Sequence, residues 1–258
     1  MKIVTWNINS VRLRQDLVLK LMAEMQPDVV CLQETKCPND CFPFDTFRDF
    51  GFTHIHIAGQ KGYNGVAIFS KVPFENPMVY ERATLNDARH ISVEFADFTL
   101  HNAYVPAGGD IPDPIENPKF DHKLRFIDDL ATFFALSRGP HVLVGDLNIA
   151  PLEHDVWSHK QMRNVVSHTD IEIEKLTTMF KAGKFVDAVR HFVPDTEKCY
   201  SWWSYRNQDW KKSNRGRRLD HIWISESLKD RLHSHQILAD ARDWERPSDH
   251  VPVMIALA

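Results

Sequence analysis

His141-Val142-Leu143-Val144-Gly145-Asp146-Leu147-Asn148-Ile149-Ala150-Pro151 decides the reading of this chain. Its first four residues form a short, nearly continuous apolar run, as expected for a strand buried on both faces. The glycine, the acid and the amide then fall where that strand leaves the sheet. Working outward, Val29-Val30-Cys31-Leu32 repeats the pattern and runs into Gln33-Glu34. Further apolar runs with polar or glycine ends cover residues 3–8, 65–70, 91–95, 99–105, 219–225 and 251–257. Their length and β-branched content predict strands. Helical spacing appears between them. Leu13, Leu17, Leu21 and Met25 step by four; Phe120, Leu124, Ile127, Ala131 and Phe134 form a second stripe; Ile173, Leu176 and Phe180 form a third. Pro27 and Asp28 should stop the first helix. The pattern predicts an α/β fold whose sheets are covered by helices, as one domain over residues 1–258.

The polar residues recur at strand ends. Asn7 and Asn9 follow the first strand, Glu34 the second, and Asp146 and Asn148 the central one. Asp220 and His221 open the Leu219 strand, and Ser248-Asp249-His250 precede the last. Any one of these could be a turn or cap residue. Together they form the oxygen-rich donor set that a hard divalent cation requires, with a histidine able to hold a proton toward a phosphate.

A second cluster, Tyr200 to Arg218, carries Arg206, Lys211, Lys212, Arg215, Arg217 and Arg218 against one acid, Asp209, and includes Trp202, Trp203 and Trp210. Cations interleaved with rings suit a nucleic-acid strand; a solvated basic loop over core tryptophans is the plainer alternative. The whole chain holds 35 acidic and 31 basic residues, a formal charge of −4, which excludes a uniformly basic polyanion binder. The amino terminus lacks the features of a signal peptide, and no apolar stretch approaches the roughly 20 residues that span a bilayer. A cytoplasmic protein without membrane contact is expected. Cys31, Cys37, Cys41 and Cys199 lack metal-finger spacing and are expected as free thiols.

The ordered blocks Trp-Asn-Ile-Asn (6–9), Leu-Gln-Glu-Thr-Lys (32–36), Gly-Asp-Leu-Asn-Ile-Ala-Pro (145–151), Asn-Arg-Gly-Arg-Arg-Leu-Asp (214–220) and Ser-Asp-His-Val-Pro-Val (248–253) resemble those of the exonuclease III family of apurinic/apyrimidinic endonucleases. The third and fifth blocks alone specify only the wider endonuclease, exonuclease and phosphatase superfamily. The resemblance implies a four-layered α/β sandwich, with two central mixed sheets covered by helices. It also implies a Mg²⁺-dependent phosphodiesterase, with Mn²⁺ able to substitute, that cuts duplex DNA 5′ to abasic sites and trims or cleans 3′ ends as a monomer.

By the same resemblance, Asn7 and Glu34 are similar to the principal metal ligands, with Asp146, Asn148 and Asp249 in water activation or a second metal position. Asp146 would deprotonate the attacking water, Asn148 position it, His250 held by Asp220 donate to the phosphate, and Tyr104 lie beside that phosphate. Arg12, Lys36, Tyr63, Asn64, Trp202 and Arg218 match DNA-contacting positions. Ser10, Ala107 and Arg217 depart from the common pattern, which leaves the balance between internal incision and exonuclease action open. Two rival readings are a superfamily activity on phosphoinositides, sphingolipid head groups or RNA, and an inactive DNA-binding scaffold. The basic aromatic window disfavours lipids, and intact Glu34, Asp146 and His250 disfavour the scaffold.

Overall fold

The computed structural model describes residues 1–84, 86–207 and 209–258. Among these the first sheet contains β1 (Lys2–Asn7), β2 (Val29–Gln33), β3 (His54–Ala58), β4 (Val66–Ser70), β13 (Leu232–Ile237) and β14 (Val253–Leu257), in the order β13-β14-β1-β2-β4-β3. The second contains β5 (Glu75–Val79), β6 (His90–Glu94), β7 (Thr99–Tyr104), β8 (His141–Asp146), β9 (Phe185–Asp187) and β12 (Asp220–Ser225), in the order β5-β6-β7-β8-β12-β9. A small ribbon pairs β10 (Trp202–Trp203) with β11 (Gly216–Arg217). The helices are α1 (Gln15–Met25), α2 (Phe44–Arg48), α3 (Pro118–Leu136), α4 (His159–Met162), α5 (Asp170–Ala182) and α6 (Trp210–Ser213).

Alternation along the strands makes the layers, because successive side chains point to opposite faces. Ile3, Val29, Cys31, Ile68, Leu100, Val142, Val144, Ile222 and Ile255 meet in one core. Their neighbours Val4, Trp6, Val30, Leu32 and Phe69 pack outward with Val18, Leu21 and Met22 of α1 and Phe47 of α2. On the far side Ala103, Leu143 and Trp223 pack with Phe126, Ile127 and Leu130 of α3 and Leu176 and Met179 of α5. The result is the four-layered sandwich, helix, sheet, sheet, helix, with both sheets mixed.

Two departures have simple causes. Leu13 is 56% exposed and precedes α1, so the first helical stripe begins at Leu17; Gln26, with φ of 48°, then closes the helix just before Pro27. Gly145 has a φ of +143°, and a Cβ there would lie 1.9 Å from the Ala103 carbonyl oxygen. Only glycine lets β7 and β8 close up immediately before Asp146.

Strand direction brings the polar ends together. β1 runs parallel to β2 and β7 parallel to β8, so Asn7, Glu34, Tyr104 and Asp146 leave at the same end. β12 and β14 run antiparallel to β8 and β1, so their starts, Asp220 and the segment carrying Asp249 and His250, arrive at that end too.

Candidate active site

Asp146 sits at the centre. Its Oδ1 accepts from the Asn148 backbone N–H at 2.9 Å, and its Oδ2 accepts from the Asn7 and Asn148 side-chain amides at 2.9 and 3.1 Å. Asn7 also donates to Glu34 Oε1 at 3.0 Å, and the Tyr104 hydroxyl donates to the same oxygen at 2.7 Å. One amide therefore spans the two carboxylates. Burial and the charge of Glu34 push the Tyr104 hydroxyl well above the ordinary phenol range, so it stays a donor. Burial alone would raise Glu34, but its bonds from Asn7, Lys36 and Tyr104 outweigh that and hold it below the usual carboxylate range.

His250 places Nδ1 2.8 Å from Asp220 Oδ2 and Nε2 3.7 Å from Asp146 Oδ2. Burial works against the imidazolium, yet the Asp220 and Asp146 charges overcome it and push His250 up to about 10. Burial pushes Asp146 itself up to about 7; Asp220 and Glu34 add to this, while His250 and Asn7 oppose it. Ser201 fixes the orienting acid, its hydroxyl donating to Asp220 Oδ2 at 2.6 Å while accepting from the backbone of Leu219 and Asp220. Asp249 stands opposite, accepting from Asn9 at 3.2 Å and from the Trp202 indole at 2.9 Å.

Glu34, Asp146, Asn148, Asp249 and His250 line a cleft of about 300 Å³ that also meets Tyr104, Trp202, Arg217 and Leu219. The donor set fits a hard divalent cation. Glu34, Asp146 and Asp249 offer carboxylate oxygens and Asn148 an amide oxygen, and Lys36 stands 2.8 Å from Glu34 Oε2 as a local counter-charge; Asn7 turns its amide N–H toward Glu34 and Asp146 and its oxygen toward the Asn9 N–H at 3.1 Å. Asp146, Asp220 and His250 also converge tightly, all three buried. Their geometry is that of a proton-holding chain rather than a metal cage, since the Nδ1 of His250 is spent on Asp220.

Every catalytic and metal candidate named from the sequence thus lies at one end of the sheets. The DNA-contact candidates divide. Arg12 and Tyr63 are exposed, Trp202 is half-buried on the cleft wall, and Lys36 faces inward, bonded to Glu34 and to Asn9 at 2.6 Å. Asn64 is 6% exposed and spends its amide on Gln60 and the Asp87 carbonyl, so it shapes its loop rather than presenting a side chain.

Arg218 is corrected outright. It is 1% exposed, forks onto Asp155 at 2.7 and 3.0 Å and reaches Asp187 at 2.7 Å, so its guanidinium is turned into the protein and away from DNA. Its neighbour Arg217 is half-buried on the cleft wall, its guanidinium 5.0 Å over the Trp202 ring and bonded to the Ser167 hydroxyl at 2.9 Å. Lys211 of the basic window is likewise paired, with Asp243 at 2.5 Å.

Sequence reasoning missed Ser201 and Asn102, and read Gln33 only as a polar strand end beside Glu34. Asn102 donates to the carbonyls of Leu32 and Ala67, and Gln33 donates to Thr5 and Asn102, a fully buried polar tie between the two sheets behind the site. A polar residue in an apolar strand, as in Leu100-His101-Asn102-Ala103, was the available signal.

Two sheets sandwiched by helices, with paired carboxylates and a buried Asp-His couple at their shared edge, define a phosphodiester-hydrolysing nuclease. The chain belongs to the Endonuclease/Exonuclease/phosphatase family, matched over residues 4–250, and within it to the exonuclease III family. It is 33% identical to an exodeoxyribonuclease of Bacillus subtilis, over 100% of this chain and 99% of that protein. It is 30% identical to exodeoxyribonuclease III of Haemophilus influenzae, over 98% of each. A solved AP endonuclease from Archaeoglobus fulgidus superposes with a TM-score of 0.92 at 30% identity, covering 100% of this chain and 99% of that one.

Proposed function

We propose that this chain is a Mg²⁺-dependent DNA repair phosphodiesterase that incises duplex DNA 5′ to abasic sites and removes nucleotides or blocking groups from 3′ ends. It would act as a cytoplasmic monomer through one catalytic unit over residues 1–258. The observation that carries the reading is the Asn7 amide bridging Glu34 and Asp146, with Nε2 of His250 3.7 Å from Asp146. A general base, a cation-binding carboxylate and a proton donor then share one cleft, as in-line hydrolysis of a phosphodiester demands.

Asn7 and Glu34 would hold the Mg²⁺, with Asp146, Asn148 and Asp249 available to a second position, and the ion would neutralise charge developing on a phosphoryl oxygen. Asp146, fixed by Asn7 and Asn148, orients and deprotonates the attacking water. His250 holds a proton at Nε2 toward the phosphate, kept there by Asp220. Tyr104 fixes Glu34 and stands beside the same phosphate. Trp202 and Leu219 form an apolar wall against which an extruded abasic sugar packs.

The test is a duplex carrying one stable abasic analogue, incubated with the protein and either Mg²⁺ or EDTA, beside an undamaged duplex. A Mg²⁺-dependent nick 5′ to the lesion is expected, with shortening from the 3′ end of the undamaged strand. A protein that leaves the lesion strand intact in Mg²⁺ overturns the incision reading.

A further inference from the structure

Lys123 of α3 and Glu172 of α5 form an ion pair that the chemistry above does not use. Both side chains are 0% exposed and lie 2.5 Å apart. Burying two charges costs several kcal/mol per ion, so such a pair persists only when its remaining hydrogen bonds are well met. Here they are met by the cleft. Lys123 Nζ donates to the backbone carbonyls of Asn148 at 2.8 Å and Ala107 at 3.3 Å. Glu172 accepts from the Ser167 N–H at 2.9 Å, and from the Thr169 N–H and hydroxyl at 3.1 and 2.7 Å.

Ala107, Asn148 and Ser167 all line the cleft, and they come from three separate connections: after β7, after β8 and before α5. Two of them hold a conformation that side-chain-bearing residues disfavour, Asn148 at φ 54° and Ser167 at φ 89°. Asn148 is pinned from both sides, its N–H on Asp146 and its carbonyl on Lys123. Ser167 is pinned by Glu172, and its hydroxyl accepts from Arg217, which lies over Trp202.

We propose that Lys123 and Glu172 are positioning residues with divided effects: Lys123 holds Asn148 against Asp146 and sets kcat, while Glu172 holds the Ser167 turn and Arg217 and sets KM. The proposal rests on the role given to Asn148 above.

Kinetics on an abasic-site duplex in Mg²⁺, with melting temperatures, test it. Glu172→Gln keeps the shape and an acceptor for the Lys123 ammonium but removes its counter-charge, so it should lower the melting temperature while raising KM about tenfold and leaving kcat within about threefold. Lys123→Met leaves an unpaired buried acid and loses stability, so its kinetic effect is read in Lys123→Met/Glu172→Gln, where neutralising both partners restores most of the melting temperature. There kcat should stay about 10- to 100-fold down, as misplacement near the reacting atoms predicts. In an Asn148→Ala background the Lys123→Met/Glu172→Gln pair should lower kcat by less than about threefold further, because the hold on the Asn148 backbone acts by aiming its side-chain amide at Asp146 Oδ2, 3.1 Å away, and alanine has no such amide. A folded double variant with wild-type kcat, or a full extra loss on top of Asn148→Ala, overturns the proposal. Unchanged kcat in Asn148→Ala alone would instead remove Asn148 from the mechanism, and Lys123 with it.

Discussion

At the residue scale, Asp146 and Arg218 show how far a motif can be trusted. Asp146 was legible because an acid directly after a doubly buried strand has few structural reasons to be there, and its neighbours Asn7, Asn148 and His250 are close-range partners quoted in the same motifs. Asp146→Asn keeps the size and some hydrogen bonds but cannot take the water's proton. Turnover should fall below detection while binding of an abasic duplex, measured by fluorescence anisotropy with Mg²⁺ present, stays within about threefold. A variant cutting at the normal rate removes Asp146 from the mechanism. Arg218 stood in an equally suggestive block, yet its partners Asp155 and Asp187 lie outside every quoted block, so no motif announces them. Arg218→Met should therefore destabilise the fold by about 1–3 kcal/mol, because buried Asp155 loses its bidentate partner and keeps Arg190 as its cation. Urea titration checks this. A variant of normal stability that binds DNA weakly would restore the DNA-contact role.

The element scale separates what was readable from what was not. Each strand expected from the sequence, β1, β2, β4, β6, β7, β8, β12 and β14, lies in the interior of its sheet, whereas β3, β5, β9 and β13 lie at the edges. Interior strands are covered on both faces and are buried nearly throughout, and β2, β4 and β8 write nearly continuous apolar runs. β5 is exposed along its whole length and β13 alternates through Leu-His-Ser-His-Gln-Ile, signals too weak to stand out. The interior strands also conceal a polar row. Arg82 donates through Nε to His90 Nδ1 at 3.0 Å, and His90 meets His101, which meets His141, at 3.2 Å each. Arginine can only donate, so the direction is fixed: each histidine accepts at Nδ1 and carries its proton at Nε2. Burial holds His90 and His101 well below the usual histidine range, with Arg82 and the neighbouring histidines adding, and burial lowers His141. Their unfolded-state value is about 6.5, so their contribution to stability is complete above that pH and is lost as pH falls below it, each at about 1.4 kcal/mol per pH unit. His250, raised to about 10, is protonated in both states below pH 6.5 and adds no slope there; Asp146, raised to about 7, opposes by one proton. Urea midpoints should fall steadily from pH 6.5 to 5, and His101→Gln should make that decline shallower. A flat profile would mean that the folded row takes up as many protons as the unfolded chain does, and would sink the assignment.

Over the whole molecule, the charge is arranged rather than merely summed. Four of the 35 acids, Glu34, Asp146, Asp220 and Asp249, stand at one end of the sheets, where His250 and Lys36 offset only part of them. The basic window beside them is thinner than its composition suggests, since Arg218 is buried and Lys211 is tied to Asp243. Lys212 and Arg215 remain exposed, with Arg215 lying 4.7 Å over Trp157. Each phosphate contact releases counterions, so the slope of log affinity against log salt reports how many cations take part, by about 0.9 per contact. Lys212→Ala and Arg215→Ala should each make that slope shallower by about one on abasic duplex DNA and weaken binding most at low salt. Lys211→Ala should change it far less, because that ammonium must first leave Asp243 to reach a phosphate. Binding isotherms between 50 and 200 mM salt distinguish these outcomes. Equal slopes for all three variants and the parent would mean that the strand tracks along a different face, and that Lys212 and Arg215 make no phosphate contact.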